Sequence, residues 1–185
     1  MNNMLFIGNH GTNKINISSI LKHGFVPSSG EGHWYGRGVY FFIDGINCTS
    51  IDKLAEQWAK DQSYNKKTKK LDYCKYAIIE AEILTEKSAI VDLRIDEYAK
   101  KVNIVREKVK SLCMCNGRKM SDDEIWEYMK KKFDIKVVVD NTYIKFGDER
   151  IKQITSRINN CTILSVLDKD IIDKNSIKII RTGDI

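Results

Sequence analysis

The chain opens with a short apolar run from Met4 to Ile7, which reads as a first strand. From Asn16 to His23 the period changes. Ile17, Ile20 and Leu21 recur at helical spacing and Gly24 stands where a helix would stop. A glycine-rich loop, Gly30 to Gly38, leads into a strand over Val39–Ile43. Between Ser50 and Tyr64, Ile51, Leu54, Ala55 and Trp58 fall on one face, predicting an amphipathic helix that begins at Ser50. The lysine run Lys66–Lys70 reads as an exposed turn. Tyr76–Leu84 and Ala89–Leu93 are β-rich.

The middle of the chain turns helical. Tyr98, Val102, Val105, Val109 and Leu112 space a helix from Asp96 to Leu112. Ser121-Asp122-Asp123-Glu124 forms a capping box, and its helix runs to about Lys132. Two strands, Lys136–Val139 and Thr142–Phe146, are expected to flank a turn at Asp140-Asn141. A short helix over Glu149–Ile158, a buried strand over Thr162–Leu167 and a last strand over Ser176–Ile180 complete the reading. Strands flanking a helical middle section give an α+β class, distinct from regular βαβ alternation.

With 185 residues, no internal repeat and no linker, the chain is expected to form one domain, 1–185. Hydrophobic content of 42% and 30% charged residues are ordinary for a soluble globular protein. No basic segment followed by a long apolar stretch opens the chain, and no window nears the ~20 apolar residues of a membrane span. A cytoplasmic protein without membrane association is expected. Five scattered cysteines in such a chain imply reduced thiols. Cys113-Met114-Cys115 has no second Cys/His pair at ligand spacing, so no metal site is expected.

The net charge of +6 is concentrated in two stretches, 60–75 and 94–119. Such clusters can attract phosphate, and they are equally common as solvated faces.

Two segments carry specific chemistry. His10-Gly11-Thr12 follows the first apolar run, and Gly36-Arg37-Gly38-Val39-Tyr40-Phe41-Phe42 is a strand punctuated by glycines, with a tyrosine at its centre. Glycines at such places let a backbone approach a flat ligand. Taken with Ile20–Phe25 (I-x-x-H-G-F) and the helix carrying Ala55–Ala59 (A-E-Q-W-A), they resemble the diphtheria-toxin-like, H-Y-E class of ADP-ribosyltransferases, which includes the poly(ADP-ribose) polymerase catalytic domain. The likeness covers about Leu5 to Ala59. A weaker echo falls on Cys161–Asp168 and Ile171.

The resemblance implies a split mixed β-sheet flanked by helices and an NAD pocket, with NAD as substrate. His10 would hydrogen-bond the adenosine ribose, Gly11 would hold the nicotinamide amide through its backbone, and Tyr40 would stack on the nicotinamide ring. Trp58 is the candidate for the second aromatic. Thr12 and Gly38 complete the implied cofactor-binding positions. His33-Trp34-Tyr35 are read as loop residues near the pocket, able to contact NAD or an acceptor.

The third signature residue, a glutamate on the late strand, is not evident. The alignment puts Thr162 or Ile163 in its place, and isoleucine can neither accept a hydrogen bond nor take a proton. Glu149 is the candidate substitute, giving a catalytic set of His10, Tyr40 and Glu149, with Glu80 and Glu82 as further options. The expected activity is transfer of a single ADP-ribose to a macromolecular acceptor, protein or nucleic acid. That would suit a bacterial or phage toxin or defence factor, held in check by an inhibitory partner protein. The alternatives are an NAD glycohydrolase, an RNA 2′-phosphotransferase, or a non-catalytic module binding ADP-ribose, NAD or nucleic acid.

Overall fold

A computed structural model describes residues 2–30 and 32–185, apart from the side chain of residue 148. In chain order the strands are β1 (Asn3–Asn13), β2 (Val39–Ile43), β3 (Tyr64–Asn65), β4 (Lys70–Leu71), β5 (Lys75–Glu86), β6 (Ile90–Asp92), β7 (Val137–Thr142), β8 (Cys161–Val166) and β9 (Lys178–Asp184). The α-helices are α1 (Ile17–His23), α2 (Ile51–Ser63), α3 (Asp96–Cys115), α4 (Asp122–Phe133) and α5 (Gly147–Ile151). The class is α+β, as the pattern predicts. Among the described residues no helix is long and apolar enough to cross a membrane.

Seven strands form one mixed sheet in the order β6-β7-β8-β2-β1-β5-β9; β3 and β4 make a separate small hairpin around the exposed lysine turn. Among the described residues β6 and β7 run parallel and the other neighbours antiparallel. The sheet is joined unevenly. β1 pairs with β5 continuously from Asn3–Glu86 to Asn13–Tyr76, whereas β1 and β2 pair at Asn9–Phe42 alone among the described residues. Two halves therefore part at the β1/β2 junction, just where His10 and Gly11 lie.

Side chains alternate across the sheet, so each strand feeds two cores. On one face Val39, Phe41, Ile79, Ile83, Val139 and Leu164 pack beneath Ile20 of α1, Phe25, and Ile172 and Ile177 of the C-terminal connection. On the other face, α2 lays Leu54, Ala55 and Ala59 against Phe42, Ile78 and Ile163. Farther along that face α3 and α4 enclose Val105, Val109, Trp126 and Met129 over Val91 and Val138. Tyr35 packs against both of these clusters and so marks the seam between α2 and the α3–α4 pair. Every residue of β8 is buried, because helices or connections cover both of its faces.

Several expectations hold closely. Gly24 ends α1 with φ 79° and returns its N–H to the Ile20 carbonyl. The Ser121/Glu124 capping box is formed in both directions. Other readings need correction: the expected strand Thr142–Phe146 is no strand beyond Thr142, and the helix expected over Glu149–Ile158 is α5, Gly147–Ile151. His10-Gly11-Thr12 sits inside β1 rather than after it, since pairing with β5 carries the strand on to Asn13. The turn at Asp140-Asn141 does not exist: β7 runs straight through both residues. They pair with Ile163 and Thr162 of β8, and their polar side chains find the Tyr35 hydroxyl and the Thr162 hydroxyl.

Candidate functional site

Beyond Asn9–Phe42, the register would set Gly11 opposite Tyr40, but the ladder stops. The Tyr40 carbonyl is met instead by Nδ1 of His10, at 2.8 Å. A carbonyl can only accept, so Nδ1 carries the proton and, in the neutral ring, Nε2 is left as an acceptor. The imidazole packs edge-on to Phe25 and tilted against Phe41, with ring centroids 5.3 and 5.7 Å away. Burial in this aromatic setting pushes the His10 pKa below its ordinary value, outweighing the opposite pull of the Tyr40 carbonyl. The ring is therefore neutral at pH 7.

That shift links the site to stability. A histidine whose folded pKa is depressed binds fewer protons folded than unfolded, so stability rises with pH. The contribution is complete above the ordinary value of 6.5 and is lost as pH falls below it, towards the folded pKa. We expect His10→Asn, which keeps a donor near the Nδ1 position, to flatten this acid-side loss. Melting temperatures of both proteins between pH 5 and 8 check it.

Around the opened junction lies a cavity of about 380 Å³, within the usual range for small-molecule sites. His10, Gly11, Gly38, Tyr40 and Trp58 all line it. Tyr40 is fixed at its far end, where its hydroxyl donates to the Gly36 carbonyl at 2.7 Å and accepts from the Tyr35 N–H at 3.1 Å. Burial raises its pKa, so the phenol stays protonated. Trp58 reaches the cavity from α2 while packing partly against the apolar cluster beneath that helix, and Gln62 lines the same wall one turn later. The amide of Gln62 escaped the sequence reading, although its four-residue offset from Trp58 is the available signal.

The glycines serve the close approach of segments. A Cβ on Gly11 would lie 1.9 Å from the Ala55 carbonyl oxygen of α2, and one on Gly38 would lie 2.4 Å from the Ser165 hydroxyl. Gly36 has φ 77° and abuts Trp126 of α4. The loop before β2 is tied down at several points. Trp126 donates its indole N–H to the Trp34 carbonyl, Ser165 donates to the Tyr35 carbonyl, and the Tyr35 hydroxyl donates to Asp140 at 2.7 Å. Burial raises the Asp140 pKa, partly offset by the Tyr35 hydrogen bond. Asp123 accepts from the Gly32 N–H and from Nδ1 of His33. The sequence assigned Asp123 only to a helix start; its 5% exposure and its grip on the loop are tertiary facts.

The other predicted positions separate. Thr12 lies on β1 outside the cavity lining, where its hydroxyl accepts from the Asn16 amide. Glu149 belongs to α5 and accepts from the Tyr143 hydroxyl at 3.2 Å; it is not part of the lining. Glu80 and Glu82 stand on β5 opposite Asn9 and Ile7, also away from it. Of the two β8 residues at the glutamate position, Ile163 lines the cavity. Thr162 points to the opposite face, with its hydroxyl donating to Asn141 and accepting from the Ile46 N–H. Among the described lining residues none is a carboxylate. No cluster of His, Cys, Asp or Glu among the described residues is placed to hold a metal ion.

No protein-family model matches the chain. It is similar to an uncharacterized protein of Methanocaldococcus jannaschii, with 31% identity over 90 residues, 48% of this chain. Those residues span 37% of the length of that relative.

Proposed function

We propose that the chain is an NAD-dependent mono-ADP-ribosyltransferase acting on a macromolecule, with an ADP-ribosyltransferase-like arrangement of its split sheet. One observation carries the reading: His10, Gly11 and Tyr40 converge on a single cavity at the place where the β1/β2 ladder opens. An open ladder leaves strand edge beside Gly11, and backbone there suits a planar carboxamide, which needs one donor and one acceptor. Tyr40 and Trp58 supply aromatic surface for a nicotinamide ring. His10, neutral with Nε2 open, suits a ribose hydroxyl.

The chemistry asked of such a site is cleavage of the bond between the nicotinamide nitrogen and the ribose carbon, through a cation-like sugar. Holding the ring and the ribose while an acceptor approaches the opposite face is positional work, for which a rigid pocket is suited. Ile163 at the cavity wall favours transfer of one unit over polymer growth, because an isoleucine cannot orient or deprotonate a second ribose hydroxyl.

Ile163 in the cavity wall, where the resemblance calls for a glutamate, also favours a second reading, a non-catalytic module that binds NAD or ADP-ribose. Incubation of the protein with NAD labelled in its adenylate moiety and a cell lysate separates the two. We expect label in a macromolecular fraction, resisting RNase and lost to protease for a protein acceptor, and the reverse for RNA. Nicotinamide release without labelled macromolecule would mean a glycohydrolase. NAD binding with neither outcome would establish the module.

A further inference from the structure

The cavity holds a second histidine that the signature does not use. His33 lines it from the loop before β2, and its Nδ1 lies 3.2 Å from Oδ1 of Asp123, at the start of α4. Both side chains are withdrawn from solvent, with 14% and 7% exposure. The carboxylate can only accept, so Nδ1 carries the proton and Nε2 is the acceptor of the neutral ring. Among the described residues Nε2 has no partner. The neighbouring Gly32 N–H also binds Asp123, which holds the loop and its imidazole to α4 from two points. The same loop ties Tyr40, whose hydroxyl is bonded to Tyr35 and Gly36, two and three residues beyond His33. His33 and Tyr40 thus both line the cavity and are tied to the same loop. An imidazole held in one orientation by a carboxylate, with its second nitrogen free as an acceptor beside a cavity, is an arrangement suited to a general base.

We propose that the His33–Asp123 pair is the general base that activates the acceptor, in place of a glutamate. The inference rests on the transferase reading. In the step, the bond between the nicotinamide nitrogen and C1′ of the ribose breaks, and its electron pair leaves with neutral nicotinamide. The acceptor oxygen or nitrogen forms a bond to C1′ and loses its proton to Nε2 of His33. Asp123 stabilises the resulting imidazolium, and the proton is then released to water.

The test uses the full chain with labelled NAD and a labelled lysate fraction as acceptor. We expect His33→Ala to lower the transfer rate by roughly 100-fold or more, with NAD affinity by calorimetry kept within about threefold. Added imidazole should restore part of the rate. His33→Gln, whose amide can still donate to Asp123, should show the same loss if the loop tie is not the cause. Asp123→Asn, which removes the negative charge that faces Nδ1 of His33, should also lower the transfer rate. An unchanged transfer rate in the His33 variants, or a loss that tracks NAD affinity without imidazole rescue, overturns the base assignment and leaves the transferase reading intact. Wild-type protein that fails to bind NAD overturns both.

Discussion

Gly11→Ala is expected to lower stability by about 3 kcal/mol, one of the largest effects of any single methyl group in this chain. A Cβ at this position would stand 1.9 Å from the Ala55 carbonyl oxygen, 2.8 Å from its carbon and 3.2 Å from the Ala59 side chain. The first two are backbone atoms in the middle of α2, so no side chain can swing aside. Relief requires α2 to lift away from β1. That movement would open the packing of Leu54, Ala55 and Ala59 against Phe42, Ile78 and Ile163. Because α2 also carries Trp58 and Gln62, the same displacement would spread the cavity wall. A melting temperature lower by roughly 6–12 °C is expected for a domain of this size. Thermal denaturation checks it, and a fall of less than about 2 °C would show that α2 can shift at little cost. The effect is steric: φ at Gly11 is not in the left-handed region, unlike that at Gly36.

Legibility in the sequence follows the range of the interactions. Helix α2 was readable with its ends, because the apolar face at Ile51, Leu54, Ala55 and Trp58 and the start at Ser50 are local features. The capping box of α4 was readable for the same reason. β1 was cut short because its second half, His10 to Asn13, is polar and held as strand by pairing with Ile79 to Tyr76, some 70 residues away. Asp140-Asn141 imitated a turn because their turn preference reflects side chains that bond to nearby backbone. Here Tyr35 and Thr162 occupy those side chains, and the strand continues.

The site divides along the same line. His10, Gly11, Tyr40 and Trp58 were named from the family resemblance of their segments and line one cavity. The choice between Thr162 and Ile163 depended on which face of β8 points inward, a question of register that one sequence leaves open. Asp123 could not have been found at all. A buried aspartate beside a capping box looks like any acidic residue of a first helical turn, where the helix dipole favours negative charge. Its contact with His33 spans 90 positions. Glu149 was attractive for its place in the chain, but α5 turns it to Tyr143 instead.

Two substitutions at Tyr40 should divide its contribution into parts and weigh the NAD reading directly. Tyr40→Phe keeps the ring and removes the hydroxyl, leaving the Gly36 carbonyl and the Tyr35 N–H without their partner. Each such loss costs on the order of 1 kcal/mol, and here it loosens the loop that walls the cavity. An approximately tenfold weaker NAD affinity is expected, through a less ordered loop. Tyr40→Ala removes the ring as well. Loss of a stacking face adds about 1–2 kcal/mol to the first effect, from the aromatic pairing and the area no longer covered. The expected total is a 100-fold or greater weakening, roughly ten times that of the phenylalanine variant. Isothermal calorimetry with NAD measures both. The order matters more than either value. If phenylalanine and alanine weaken binding equally, the hydroxyl's hold on the loop is the whole contribution and no ring stacks on Tyr40. If neither changes it, the ligand of this cavity does not use β2. A tenfold step between them is the result that a flat aromatic group bound against this residue requires.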